Sequence, residues 1–377
     1  MNGLTSGTGN PAAAQLAAAK SVESLRENLL SGVPELARGP IDRIAVLGAG
    51  PEGLRLAELC RSDGIRVVGI YDGNARRRGT KLAGMVVYPQ EALTRLPKDV
   101  PIIVASHRVL GACESLRALG YVAVPLAFLQ VGMPDRFPPH PFYDGLLEDL
   151  FMNREQYLSL FDIFADDVSK EVLDAVIAYR LSLDPLRLRN VIDWDLYGSL
   201  QFGSDEVYVD GGTYNGDSIQ LFIEHVGGHY SKIYGFEPDG RTFKVLRQRF
   251  GNTPGIELHN CGLYSTSGML GFSADSSRAA KIDEQSATRI RVAKLDDVVS
   301  DRVTFVKMNI EGAEIDALEG SRRTIASWAP KLAISAYHRA SDLWRLARLI
   351  RELNSGYSLF LRQHDGGIIE TVLYAKR

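Results

Sequence analysis

Apolar residues in this chain fall into short continuous runs, which are separated by glycine turns and by stretches with helical spacing. The runs IAVLG (44–48) and VVGIY (67–71) are apolar throughout, as a parallel strand covered on both faces requires. The same alternation starts again near residue 206 and ends in two closing strands, YSLFLRQHD and IIETVLYAKR. The pattern predicts an α/β protein with two doubly wound parallel sheets, the second seven-stranded with a terminal hairpin.

The chain has 377 residues, enough for more than one domain. Proline and glycine are dense in GMPDRFPPHPFYDG, which predicts a boundary after the first sheet. The predicted order is a disordered tail with a helix over 1–40, a smaller Rossmann-like domain over 41–131, a helical connector over 132–200, and the larger domain over 201–377.

Composition narrows the class of protein. A formal charge of −3 and a pI near 6.2 give no broad cationic field, so a nucleic-acid partner is not expected. The three cysteines are too few for a disulfide framework or a thiolate metal site. Because no apolar stretch has the length of a signal peptide or a membrane span, we expect a soluble cytoplasmic protein with no membrane partner.

The strand VYVD is followed by GGTYNGDS and then by a helical pattern. Glycine allows a sharp turn and a close backbone approach to a ligand, so the floor of a nucleotide pocket is predicted there. The next strand ends in GFEPD, which places Glu237 where a carboxylate would accept ribose hydroxyl protons. The third strand ends at Asn260, beside the expected adenine. The pocket-floor candidates are Asp210, Gly211, Gly212 and Gly216.

These motifs, with LDD at Leu295 to Asp297 and KMNIEGAE at Lys307 to Glu314, occur in the order seen in the FkbM family of S-adenosylmethionine methyltransferases, which the last 170 or so residues resemble. The resemblance implies a class I methyltransferase domain that uses S-adenosylmethionine to methylate a hydroxyl on a small-molecule or sugar-like acceptor. By position it implies a methionine-end loop containing Asp210, Gly212 and Gly216, and a ribose ligand at Glu237. The residues that line the same loop are Tyr214, Asn215 and Asp217.

The acceptor is expected at the carboxyl ends of the later strands. The candidate catalytic residues there are Asn309, Glu311, Glu314 and His338. Burying two carboxylates and an amide around one glycine is costly unless they bind something, although Glu311 and Glu314 also suit the first turn of a helix.

Removal of the acceptor proton leaves two mechanisms open. Asn309 stands where the family motif has aspartate, and the missing negative charge puts a divalent cation in doubt, so the metal remains unknown. His338 has an ordinary pKa suited to a general base, although a structural histidine is an equal alternative. We favour the histidine mechanism.

The first sheet carries a glycine motif of its own. Gly48, Gly50 and Gly53 have the G-x-G-x-x-G spacing after a strand, and Asp72 ends the next strand. With Asn74 and the later GxxV, this segment resembles the Rossmann-like modules of sugar-modifying acyltransferases and some FkbM-type proteins. The resemblance allows either a nucleotide or nucleotide-sugar site, or a structural domain that would support a homodimer.

Two other functions of the whole chain remain open. Asn309 is compatible with a regulatory protein that binds the methyl donor without turnover. An NAD-linked oxidoreductase that uses Gly48 to Asp72 is the other alternative, and the ordered methyltransferase motifs count against it.

Overall fold

The structure is a computed structural model that describes residues 10–37, 39–106, 108–273, 281–282 and 288–377. The chain divides into two compact units. Unit 1 consists of the described residues within Met1–Phe161, Lys170–Ile192 and Asp365–Ile369. Unit 2 consists of those within Asp162–Ser169, Asp193–His364 and Glu370–Arg377.

Unit 1 is built on a six-stranded sheet with the order β3-β4-β2-β1-β5-β6. Its pairs are parallel except for β3 with β4. Strands β1 and β5 are buried almost throughout, as their continuous apolar runs require. The strands are β1 (Arg43–Leu47), β2 (Arg66–Asp72), β3 (Lys81–Leu82), β4 (Met85–Pro89), β5 (Ile102–Val104) and β6 (Ala123–Pro125).

In the described part of the chain, nine α-helices precede β7, and most of their residues belong to unit 1. They are α1 (Pro11–Ala17), α2 (Val22–Ser31), α3 (Pro34–Ala37), α4 (Pro51–Ser62), α5 (Val109–Ala118), α6 (Leu126–Gly132), α7 (Leu146–Met152), α8 (Arg154–Ile163) and α9 (Asp167–Ser182). One helix was expected within residues 1–40, and the structure has three there, the second of which begins where the Ser21 side chain accepts the N–H of Ser24. The first nine residues of the expected tail lie outside the described residues.

Unit 2 contains a seven-stranded sheet with the order β16-β17-β15-β14-β7-β8-β9. Strands β15, β14, β7, β8 and β9 are parallel, and β16 and β17 form an antiparallel hairpin at the edge opposite to β9. The strands are β7 (Val207–Gly211), β8 (Lys232–Phe236), β9 (Ile256–His259), β10 (Gly262–Leu263), β11 (Gly268–Ser273), β12 (Lys281–Ile282), β13 (Arg289–Ala293), β14 (Phe305–Met308), β15 (Lys331–Ser335), β16 (Ser358–Gln363) and β17 (Thr371–Lys376). The two parallel sheets confirm the α/β class.

The helices of unit 2 follow its parallel strands. They are α10 (Asp217–His225), α11 (Gly240–Phe250), α12 (Leu295–Val298), α13 (Glu314–Glu319), α14 (Arg322–Trp328) and α15 (Asp342–Leu353). Strands β10 to β13 form a small separate sheet, in which β11 is antiparallel to β12 and β13. Among the described helices of both units, none is long and apolar enough to cross a membrane.

Aromatic side chains fill the core of unit 2 on one face of the large sheet. Tyr208 of β7 stacks on Phe305 of β14 with ring centroids 4.8 Å apart, and Phe222 of α10 lies 4.4 Å from the Tyr208 ring. All three are fully buried. This packing fixes β7 against β14, and therefore fixes the two loops that leave the carboxyl ends of these strands.

Candidate functional site

The predicted donor loop joins β7 to α10 and turns on two left-handed glycines, Gly212 (φ 75°) and Gly216 (φ 86°). A Cβ on Gly212 would lie 2.0 Å from the carbonyl oxygen of Asn309, and one on Gly216 would lie 2.4 Å from the Phe250 ring. Both positions therefore need glycine for conformation and for space. Gly211, the last residue of β7, is buried.

Asp210 has no exposed surface. Its Oδ1 lies 3.0 Å from Nζ of Lys307, and its Oδ2 accepts the Ser218 hydroxyl at 2.5 Å. The carboxylate thus faces the inside of unit 2 and holds the loop in place. The sequence indicated Asp210 as a residue of the donor loop and missed both of its partners, although Lys307 opens the KMNIEGAE motif that was noticed.

Glu237 follows β8 and is only 7% exposed. Its Oε2 accepts the backbone N–H of Tyr214 at 2.9 Å, and its Oε1 accepts that of Asp239 at 2.9 Å. Burial raises the pKa of the Glu237 carboxyl to about 7, against the lowering effect of these two hydrogen bonds. The carboxylate is therefore joined directly to the donor loop, and its role as the ribose ligand stays a prediction.

The remaining residues predicted for the donor side lie around this pair. Asn260 donates through Nδ2 to the carbonyl oxygen of Glu237 at 2.8 Å. Asn215 accepts the N–H of Asp217 through Oδ1 at 3.1 Å, so it closes the turn before α10. Tyr214 has a left-handed backbone (φ 51°) and is 60% exposed. The donor-side residues predicted from sequence thus fall at the carboxyl ends of β7, β8 and β9.

A cavity of about 330 Å³ lies beside the donor loop, at the carboxyl ends of β14 and β15 and the start of β17. Its walls combine an apolar side with several polar groups. The lining residues are Leu196, Tyr197, Asp217, Ser218, Leu221, Lys307, Asn309, Ala333, Ser335, Glu370 and Val372. Of the residues predicted for the acceptor side, Asn309 alone is among them.

Asn309 is oriented by Tyr337, which lies two residues beyond the end of β15. The hydroxyl of Tyr337 donates to Oδ1 of Asn309 at 3.3 Å, which leaves the amide nitrogen of Asn309 as a hydrogen-bond donor. Burial, and then the charge of Glu370, raise the pKa of Tyr337, so this hydroxyl keeps its proton. Glu370 itself has a left-handed backbone (φ 62°). No local sequence pattern indicates Glu370 or Ser335, because their place in the cavity wall depends on how β15 pairs with β17.

His338 lies just beyond β15 and is 3% exposed. Its Nδ1 is 2.9 Å from Oε1 of Glu314, and its Nε2 is 3.9 Å from Oε2 of Glu311. Burial alone would lower the pKa of His338, but the Glu314 carboxylate outweighs it and raises the pKa to about 9. The imidazolium in turn lowers the pKa of Glu314 against the effect of burial. At neutral pH the two form a buried ion pair.

Glu311 and Glu314 differ in exposure although both were predicted from one motif. The Glu311 side chain is 33% exposed and its backbone is left-handed (φ 57°). Glu314 begins α13, is 1% exposed, and its Oε1 also accepts the N–H of Ile310 at 2.8 Å. Glu314 therefore starts a helix, as one interpretation expected, and its predicted role in catalysis stays a prediction.

Glu314, His338 and Asp342 bring potential ligand atoms within 4.8 Å of one another, the one such group found in the described part of the chain. Oδ2 of Asp342 accepts the N–H of Arg339 at 2.8 Å, and the pair of Glu314 with His338 keeps a proton that a metal ligand must lose. Oδ1 of Asn309 is likewise engaged by Tyr337. These contacts engage the cluster within the protein, and whether it also binds a divalent ion stays a prediction.

The glycine motif of unit 1 forms a tight turn between β1 and α4. A Cβ on Gly48 would lie 2.4 Å from the carbonyl oxygen of Ala105, and one on Gly53 would lie 1.9 Å from that of Gly48. Asp72 is 9% exposed and accepts the N–H of Ala49 through Oδ2 at 2.7 Å. Its Oδ1 accepts a second backbone N–H, that of Asn74, at 2.7 Å.

The Arg77 side chain lies close to this turn. Nη1 of Arg77 is 3.5 Å from Oδ2 of Asp72, and a Cβ on Gly50 would lie 3.3 Å from the same Nη1. The carboxylate of Asp72 thus supports its own turn. Whether the turn also holds a nucleotide stays a prediction.

The chain is similar in sequence and in fold to known methyltransferases. Residues 210–362 match the family model of the methyltransferase FkbM domain. The chain is similar to the crystal structure of methyltransferase FkbM from Methylobacillus flagellatus KT, with 25% identity, a TM-score of 0.73, and 97% of each chain covered. An rRNA methylase from Streptococcus thermophilus is 16% identical to this chain, with 51% of this chain and 94% of the methylase covered and a TM-score of 0.33. No curated protein matches the chain in sequence.

The parallel sheet of unit 2, with a glycine loop after β7 and an acidic residue after β8, defines a Rossmann-like methyltransferase domain. This domain belongs to the FkbM methyltransferase family. The family resemblance that was inferred from the ordered motifs is thereby confirmed.

Proposed function

We propose that unit 2 transfers a methyl group from S-adenosylmethionine to a hydroxyl oxygen of a small-molecule or sugar-like acceptor. The observation that carries the proposal is the polar cavity directly beside the donor loop, with Ser218 and Lys307 contributing to both. Methyl transfer requires an acceptor oxygen in line with the methyl group and the sulfur atom, so the two sites must adjoin.

The donor side of the proposal rests on Glu237 and the glycine loop. Glu237 is positioned to accept the ribose hydroxyl protons, and the glycine turn leaves room for the methionine end of the donor. A buried carboxylate whose pKa is raised to about 7 gains from such donors, because each hydrogen bond to it favours the charged form.

The acceptor side rests on the chemistry of the cavity walls. A hydroxylated ligand needs both hydrogen-bond donors and acceptors, and the amide of Asn309 and the carboxylates of Asp217 and Glu370 supply them. Leu196 and Tyr197 provide an apolar side that a carbon ring would cover. In the reaction the hydroxyl oxygen forms a bond to the methyl carbon, the sulfur–methyl bond breaks, and S-adenosylhomocysteine leaves.

The hydroxyl proton must go to a base, because a neutral alcohol is a poor nucleophile. The preference for His338 assumed an ordinary pKa, whereas its pair with Glu314 raises the pKa to about 9 and keeps it protonated at neutral pH. Glu370 lines the cavity and is held in a left-handed conformation that a non-glycine residue adopts at a cost. We therefore assign proton removal to Glu370, and to His338 the structural role of a buried partner for Glu314.

Asp217 is the other carboxylate of the cavity. It stands at the first position of α10, and its Oδ1 accepts the N–H of Ser218 at 2.8 Å, so one of its two carboxylate oxygens is already engaged by the helix. It suits recognition of an acceptor hydroxyl better than proton removal.

The test is methyl transfer by the full chain. The protein is incubated with S-adenosylmethionine carrying a labelled methyl group and with a panel of sugars, glycosides and hydroxylated metabolites, and S-adenosylhomocysteine is quantified. We expect product formation with a hydroxylated acceptor and none when its hydroxyl is already methylated. Donor binding without turnover on any panel member would instead support the regulatory alternative, which the amide at Asn309 favours.

A further inference from the structure

Lys307 lies in the middle of β14, two residues before Asn309. Its Nζ is 3.0 Å from Oδ1 of Asp210, 3.0 Å from the carbonyl oxygen of Gly212 and 3.5 Å from that of Gly211. The side chain is 12% exposed, and it also forms part of the cavity wall. One ammonium group thus lies within reach of three oxygens at the junction of β7 and the donor loop.

These contacts account for the hydrogen-bonding capacity of the group. A lysine ammonium has three N–H donors and no acceptor, and three oxygens of the loop lie within reach. Asp210 is fully buried, so its charge needs a partner, and it holds the ammonium in place. The two glycine carbonyls, in contrast, gain a fixed direction from the contact.

The direction of these carbonyls matters because Gly212 has a left-handed backbone and its Cα closely approaches Asn309. A turn of two adjacent glycines has many accessible conformations, and holding one of them costs conformational entropy. A cation that binds both carbonyl oxygens selects one conformation before the ligand arrives. Such preorganisation strengthens binding without any direct contact to the ligand.

We propose that Lys307 is a positioning residue that fixes the glycine turn of the donor loop in the conformation that binds the methionine end of the methyl donor. The inference rests on the proposed donor site. It assigns the ammonium to the loop and not to the acceptor, although Lys307 borders the acceptor cavity.

A single Lys307→Met change would leave the buried Asp210 carboxylate without its cation and so endanger folding. The informative variant is Lys307→Met combined with Asp210→Asn, because it removes both charges at nearly constant volume. This double variant should fold, yet it lacks the contact to the carbonyls of Gly211 and Gly212.

Unit 2 offers a matched control. Lys331 at the start of β15 pairs with the buried Glu206 at 2.5 Å, at the opposite end of the sheet from the donor loop. Lys331→Met combined with Glu206→Gln removes an equivalent buried pair away from the site. We expect similar melting temperatures for the two double variants and unchanged ligand binding for the control.

Binding is measured by calorimetry with S-adenosylhomocysteine and with methylthioadenosine, which lacks the amino-acid end. For the Lys307 double variant we expect affinity for S-adenosylhomocysteine to fall by about tenfold or more, while that for methylthioadenosine changes by less than about threefold. A uniform structural defect would weaken both ligands together.

The outcomes separate this inference from the proposed function. If the wild-type chain binds neither ligand, the donor site itself is wrong and the role of Lys307 is wrong with it. If the wild type binds both, and the Lys307 double variant either binds both unchanged or loses both equally, the donor site stands and the positioning role is overturned.

Discussion

At the scale of single residues, Glu237 links donor affinity to pH. Its folded-state pKa is raised to about 7 by burial, and donor hydroxyls bind its charged form. Protonation below pH 7 therefore competes with the donor. We expect the dissociation constant for S-adenosylhomocysteine to be about tenfold larger at pH 6 than at pH 8. This is the ratio of the charged fractions of a carboxyl with this pKa at the two pH values.

Calorimetry at both pH values measures this effect. The matched variant is Glu237→Gln, which cannot titrate and should bind weakly with no comparable change between pH 6 and pH 8. A wild-type affinity that stays constant over this range would show that Glu237 does not bind the donor in its charged form.

Glu370 and His338 make different predictions for catalysis. Glu370→Gln removes the proposed base and keeps the shape of the side chain, so kcat should fall about 10²- to 10⁴-fold while S-adenosylhomocysteine affinity is unchanged. His338→Gln breaks a buried ion pair and should mainly lower the melting temperature. Both variants are assayed with an acceptor from the panel. Full activity of Glu370→Gln would refute the assignment and return His338 as the candidate.

At the scale of elements, the turn between β7 and α10 depends on close backbone approach. Gly212→Ala would place a Cβ 2.0 Å from the Asn309 carbonyl oxygen, so β7 and β14 would have to separate locally. We expect a loss of about 2 to 4 kcal/mol in the free energy of unfolding, the range of changes that disrupt packing at a special backbone conformation.

Gly228 provides the control for this prediction. It is also left-handed (φ 81°), and a Cβ there meets nothing within 4 Å. Gly228→Ala should therefore cost only about 1 to 2 kcal/mol of backbone strain. Chemical denaturation of both variants measures the difference, and equal losses would mean that the close approach contributes nothing.

The glycine turn before α4 in unit 1 has a prediction of its own. If it binds a nucleotide or nucleotide-sugar, one member of a panel of such ligands should raise the melting temperature of the full chain, since binding to the native state stabilises it. Gly50→Val should abolish this shift because its side chain would meet Arg77 and the approaching phosphate. No shift with any panel member would favour the structural interpretation of this domain.

At the scale of the whole molecule, the charge arrangement predicts independence from metal. The buried Glu314 carboxylate is neutralised by His338, and Asn309 presents a donor rather than a carboxylate to the cavity. Methyl transfer by the full chain should therefore persist after dialysis against a chelator. Complete loss of activity, with recovery on addition of magnesium or manganese, would contradict this and restore the metal mechanism.

The sequence by itself determined the features that local patterns encode. Continuous apolar runs separated by helical spacing predicted the parallel sheets, because a strand covered on both faces must be apolar at every position. Glycines after β7 and an acidic residue after β8 placed Asp210, Gly212 and Glu237 correctly at the carboxyl ends of neighbouring strands. Each of these inferences needs only residues close together in the chain.

Tertiary structure alone decided which distant side chains meet and what charge they carry. Lys307 reaches Asp210, 97 positions away in the chain, because β14 pairs with β7, and Glu370 enters the cavity because β17 pairs with β15. His338 has an ordinary pKa in sequence and one near 9 beside Glu314, since burial strengthens the interaction between their charges. Strand pairing and burial are properties of the folded chain, so no local pattern encodes them.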